Sequence, residues 1–208
     1  MESLNLILFI SIAVPLCMML FVCKGRTRLL LTFLVLGISV CLFSSEFSGV
    51  LFNILPFTNQ YLTINLTPFT EEFLKMIPLL IYVFLYSPDD EHIIECSIAT
   101  GVGFSILENA FILASHIDMV SIPLALIRGF GAGMMHGLCT FAVGYGMTFI
   151  RKRKKLFYTG TMALFSLAVM FHSLYNIWVQ SDYPVVGYLM PIITFTSVII
   201  ILKKKNRI

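Results

Sequence analysis

Four short groups of residues combine ionisable or amide side chains at close spacing: Glu71, Glu72 and Lys75; Glu108 and Asn109; Arg128 and His136; His172 and Asn176. Glutamate and histidine move protons near neutral pH, and together they make a ligand set for a divalent metal. Two chemistries are open to them. Two histidines and a glutamate from separate helices can hold a zinc ion with one position left for water, while a further glutamate acts as base. The same groups can also work without metal, glutamate and histidine activating water while His172 or Asn176 donates to the oxyanion. No His-Glu-x-x-His run occurs, so a metal site has to be assembled from residues distant in sequence.

The elements that must position these groups are transmembrane helices. Of 208 residues, 58% are hydrophobic and 12% charged, with a mean hydropathy of +0.92. A soluble domain runs at about half apolar and a quarter charged, and a disordered chain is poorer still in apolar residues. Both classes are excluded. Apolar runs predict seven spans, at about 3–22, 29–50, 68–86, 92–115, 122–150, 156–180 and 184–202. The expectation is an all-α, polytopic transmembrane helical bundle, with residues 1–208 forming a single membrane domain. The chemical groups fall in the third to sixth spans. Burying an ionisable side chain there costs several kcal/mol unless it is paired or faces water, so each is a functional candidate.

Within those helices, Glu71 and Lys75, Phe104 and Glu108, and His172 and Asn176 are each i,i+4 pairs that share a face. Lys75 can neutralise one carboxylate of the Glu71–Glu72 pair and leave the other available; spacing alone does not choose between them. Gly129, Gly133 and Gly137 stand at four-residue intervals and predict a packing groove on the fifth span. Five cysteines, Cys17, Cys23, Cys41, Cys96 and Cys139, lack metal-ligand spacing and read as small core residues.

Twelve of the fourteen Lys and Arg lie in three clusters, at 24–28, 151–155 and 203–207, each beside an apolar run. They are topology signals and not a nucleic-acid surface: with the N-terminus outside, all twelve and the C-terminus are cytoplasmic. Lys75 and Arg128 are the two left inside spans. On this topology Glu71 and Glu72 lie one turn below the outer surface, Glu108 and His172 about 10–12 Å in, and His136 about 20 Å in. All are in the outer half, which predicts one polar site opening to the extracytoplasmic side.

The ordered motifs Glu-Glu-x-x-Lys (Glu71, Glu72, Lys75), Phe-x-x-x-Glu-Asn (Phe104, Glu108, Asn109), Arg-x7-His-x7-Gly (Arg128, His136, Gly144) and His-x-x-x-Asn (His172, Asn176) resemble the PrsW family. These are bacterial membrane-embedded proteases, related to the CAAX-processing endopeptidases, that make the first, extracytoplasmic cut in membrane-anchored anti-sigma factors. The resemblance implies a peptidase of the bacterial cell membrane acting on a single-span membrane protein. It also implies a catalytic set of Glu71, Glu72, Glu108, His136, His172 and Asn176, supported by Lys75 and Arg128. For a zinc ion the expected ligands are Glu108, His136 and His172, with Glu71 as base and Glu72 held by Lys75. The other use of the same buried charges is a cation- or proton-coupled transporter.

Overall fold

The computed structural model describes residues 4–153 and 155–204. The helices are α1 (Leu4–Val22), α2 (Gly25–Ile54), α3 (Asn59–Asn65), α4 (Thr67–Tyr86), α5 (Asp90–Ser115), α6 (Ile122–Lys152), α7 (Ala163–Val179) and α8 (Pro184–Lys204). A π-helical turn, Phe157–Met162, leads into α7, and a 3₁₀ turn, Ile117–Met119, links α5 to α6. No strand occurs among the described residues. Each of the seven apolar runs coincides with a helix, and α2 extends four residues beyond its predicted run at either end. Short α3 was not expected; Thr58 caps it and Leu62 pins it to the bundle at 1% exposure.

Local chemistry sets the helix ends. The Asp89 side chain accepts from the His92 amide at 2.8 Å to start α5, and Ser121 accepts from the Leu124 amide at 3.3 Å to start α6. Proline in the first turn of α4 and α6 occupies a place where a missing N–H costs nothing. Five helical segments are long and apolar enough to cross a membrane on those criteria alone: Leu4–Val22, Gly25–Ile54, Asp90–Ser115, Ile122–Ile150 and Phe157–Val179. Pro184–Ile200 is a shorter apolar helix, and α4 carries the Glu71, Glu72 and Lys75 charges.

Helices α5 and α6 form the centre, with α2, α4, α7 and α8 packed around them and α1 at the edge against α2 and α5. The distribution of polarity is inverted relative to a soluble protein. Phe21, Phe43, Phe84 and Met170 are exposed, whereas Glu72, Lys75 and His136 are fully buried. That suits a multi-pass membrane protein whose outer surface meets lipid tails.

The tight crossings use glycines of α2, α5 and α6. A Cβ on Gly101 would collide with the His136 carbonyl, and one on Gly103 with the Leu34 carbonyl. The predicted groove on α6 is looser. Gly133 and Gly137 face Ser105 and Val102 at 3.8 and 3.9 Å, and a Cβ on Gly129 would meet nothing within 4 Å. The close approach of α5 to α6 is made by Gly101 on α5 and by Gly144 on α6, whose added Cβ would collide with Ser97, so the 129–133–137 spacing does not report it.

At the end of the bundle opposite the α5–α6 connection, Arg26 pairs with Glu91 at 2.6 Å and with Glu95, tying the start of α2 to the start of α5. Of the basic clusters that set the predicted topology, Lys154, Lys205 and Arg207 lie outside the described residues.

Candidate active site

Four helices deliver the ionisable residues to one place. From α4, Lys75 Nζ donates to Glu72 Oε1 at 2.6 Å and lies 2.9 Å from His136 Nδ1 of α6. The ring of Phe104 lies beneath the ammonium, 4.4 Å from it. An ammonium has hydrogens to give and no lone pair, so His136 Nδ1 is the acceptor and the imidazole proton sits on Nε2. His136 Nε2 then donates to Glu108 Oε2 of α5 at 2.9 Å.

His172 of α7 is held the other way round. Its Nδ1 donates to Glu72 Oε1 at 2.9 Å, which leaves the Nε2 lone pair facing Glu71 Oε2 at 3.7 Å. The His136 and His172 rings stand at 89° with centroids 5.0 Å apart. Six side chains thus form one connected path, Glu108–His136–Lys75–Glu72–His172–Glu71. A network this complete in a low-dielectric interior is stiff, because each member fixes the orientation of the next.

Burial is nearly total. Glu72, Lys75 and His136 are at 0% exposure, His172 at 1% and Glu71 at 7%, whereas the Glu108 side chain reaches 23%. Spacing left open which carboxylate Lys75 neutralises, and the structure pairs it with Glu72 at i,i+3. Glu71 Oε2 and Glu72 Oε2 have no hydrogen-bond partner among the described residues. Three carboxyl groups share this site with one buried ammonium, and two of their oxygens are unused. Both features favour a cation.

The donor atoms of Glu71, His136 and His172 all lie within 4.8 Å of one another. Ligand atoms on a tetrahedral zinc stand about 3.4 Å apart. The 3.7 Å between Glu71 Oε2 and His172 Nε2 is close to that separation, and both atoms are open. Glu72 stands behind His172 as carboxylates stand behind metal-bound histidines, fixing tautomer and ring plane. His136 would exchange one of its two hydrogen bonds for the ion. The residues present therefore fit a metal. Glu108 joins this group through His136 Nε2.

The remaining candidates lie close by. The Asn176 amide donates to the Thr63 carbonyl at 3.0 Å, tying α7 to α3. Arg128 Nε is buried with no hydrogen-bond partner among the described residues, and the Arg128 carbonyl accepts from Asn109 at 3.5 Å. Glu108 and His136 meet although the sequence put His136 much deeper. Side chains lean toward the N-terminus of their own helix, and α5 and α6 run antiparallel, so Glu108 and His136 lean toward each other across that difference in depth. Among the cysteines, Cys41, Cys96 and Cys139 are buried, and Cys17 and Cys23 half-buried. Tyr175 was not singled out from the sequence; its only signal there is its place three residues after His172, on the same helical face.

Neither a curated protein nor a solved structure matches the chain. Residues 25–202, which include the whole charged path from Glu71 to His172, match the PrsW family intramembrane metalloproteases, and the chain belongs to that family of membrane-embedded peptidases.

Proposed function

We propose that this protein makes the first, extracytoplasmic-side cut in a membrane-anchored regulatory protein of the single-span, anti-sigma-factor type, in a bacterial cell membrane. The observation that carries this reading is the open, buried pair of Glu71 Oε2 and His172 Nε2, 3.7 Å apart within a path of fixed hydrogen bonds. Family membership favours peptide hydrolysis over cation- or proton-coupled transport. The substrate class follows from the family resemblance, and the side of the cut from loop charge. The loop that joins α5 to α6, residues 116–121, carries no Lys or Arg and lies at the end of the bundle nearer the site.

Roles can be apportioned from the bonds already made. Glu71, His136 and His172 are the residues that would hold a zinc ion, which supplies Lewis acidity and makes water acidic enough to lose a proton near neutral pH. Glu72 holds His172 in register, and Lys75, which pairs with Glu72, is the contact that His136 would give up to free Nδ1 for the ion. Glu108 keeps one oxygen on His136 Nε2 and has the most exposed side chain of the site's three carboxylates, which suits a base. Water adds to the scissile carbonyl carbon, its proton passes to Glu108, and the carbonyl π pair moves onto oxygen. When the tetrahedral adduct collapses the C–N bond breaks and Glu108 returns the proton to the leaving nitrogen. The products are a carboxylic acid and an amine.

The test is metal content measured beside cleavage of a single-span substrate, on purified wild type and on Glu71→Ala, His172→Ala and Glu108→Gln. The expected result is near-stoichiometric zinc in wild type, loss of metal and cleavage in the first two variants, and retained metal without cleavage in Glu108→Gln. Wild type that moves ions and cuts no peptide would overturn the function. Full cleavage by Glu108→Gln would overturn its role.

A further inference from the structure

Hydrolysis of a peptide bond needs a donor for the carbonyl oxygen as it becomes negative. Of the residues expected to provide one, His172 donates its Nδ1 proton to Glu72 and Asn176 is tied by one amide N–H to the Thr63 carbonyl of α3. One hydroxyl near the site has no such commitment. Tyr175 is 3% exposed, and its OH has no hydrogen-bond partner among the described residues. It lies one helical turn from His172 on the same face of α7. Its ring packs edge-on against Tyr188 of α8, with centroids 6.3 Å apart at 71°, so the direction of the C–O bond is set by packing. Arg128 and Glu108 are within electrostatic range of this hydroxyl, and Glu108 joins His172 in the cluster through their shared neighbour His136.

Arg128 Nε, also buried and with no hydrogen-bond partner among the described residues, is a second unused donor. Packing gives no reason for the oxygen of Tyr175. Phenylalanine would fill the same space and stack on Tyr188 without stranding a buried polar atom, a costly condition in a protein interior. A group that appears while substrate is bound would explain both unused donors.

We infer that the Tyr175 hydroxyl, together with Arg128 Nε, donates to the scissile carbonyl oxygen and stabilises the charge that forms there as water adds. The hydroxyl keeps its proton throughout; the electron pair it stabilises comes from the carbonyl π bond. This rests on the peptidase reading above.

The experiment compares Tyr175→Phe with wild type in three measurements: steady-state cleavage of a single-span substrate, inhibition by a phosphinate peptide that mimics the tetrahedral adduct, and thermal unfolding. Loss of an oxyanion donor costs about 10²–10³ in kcat. The inference predicts that Tyr175→Phe loses about 100-fold in kcat with KM within about threefold of wild type, and weakens phosphinate binding by a similar factor. Its unfolding temperature should equal or exceed that of wild type. Unchanged kcat and phosphinate affinity in Tyr175→Phe would overturn the inference while leaving the peptidase intact. A fall in cleavage that tracks a fall in unfolding temperature would overturn it in favour of a packing role. Wild type that cuts no peptide would overturn the reading on which it rests.

Discussion

Lys75 is the residue on which the charged path depends, since its ammonium holds the Glu72 carboxylate on one side and the tautomer of His136 on the other. Removing one partner from a buried pair leaves an uncompensated charge, at about 3–5 kcal/mol. Lys75→Met should therefore lower stability by about that much in detergent unfolding, and the double variant Glu72→Gln/Lys75→Met should recover much of the loss without recovering cleavage. A Lys75→Met protein as stable as wild type would show that the pair is not buried as described. Activity follows a wider set. Alanine at Glu71, Glu72, Glu108, His136 or His172 should reduce cleavage by orders of magnitude while protein still accumulates, as expected for loss of an acid, a base or a ligand. Near-full activity in three or more would remove the assignment. Residue types and helical spacing were enough to collect these positions from a single sequence. They were not enough to choose between Glu71 and Glu72 as partner of Lys75, because i,i+3 and i,i+4 neighbours are equally near on a helix and the choice is made by His172 and His136 on other helices. Tyr175 stayed invisible for a similar reason: an aromatic residue in an apolar helix looks like packing until its hydroxyl is seen to be stranded.

At the scale of the element, the site is set by how closely α5 approaches α6. Gly101 lies under the His136 carbonyl, so a side chain there must push apart the two helices that carry Glu108 and His136. Overpacking a tight contact costs about 1–3 kcal/mol. Gly101→Ala should lower the unfolding temperature and reduce cleavage, whereas Gly129→Ala, with nothing within 4 Å of its Cβ position, should leave both near wild type. Equal effects of the two substitutions would contradict the crossing described. The helices themselves were legible, because runs of apolar residues of membrane-spanning length report burial or lipid contact directly. Their approach was not. The four-residue glycine spacing on α6 pointed to a groove, but close contact depends on which face the neighbouring helix presents, and the glycines that make it, Gly101 of α5 and Gly144 of α6, stand outside that spacing. The meeting of Glu108 with His136 was hidden for a related reason: counting 1.5 Å per residue places backbones, whereas side chains on antiparallel helices lean toward each other.

For the whole molecule, an apolar exterior surrounds a charged interior, the arrangement that lipid on one side and catalysis on the other require. The partition of loop cations predicts that a reporter fused after Ile208 is active only in the cytoplasm, and extracytoplasmic activity there would invert the orientation. With that orientation the site lies in the outer half of the membrane, where water can reach it and where a substrate helix need not expose backbone groups at the bilayer centre. Fold class is set by averages over many residues, so composition carries it well. The substrate's identity depends on contacts with another chain that no average over this one records. Reconstitution with a single-span substrate in proteoliposomes, followed by mass spectrometry of the products, tests the central claim most directly. The account predicts new termini in the extracytoplasmic juxtamembrane stretch or the first outer turns of the substrate helix, absent with Glu71→Ala and His172→Ala. Termini in the cytoplasmic half of the helix, or the same products from both variants, would contradict it.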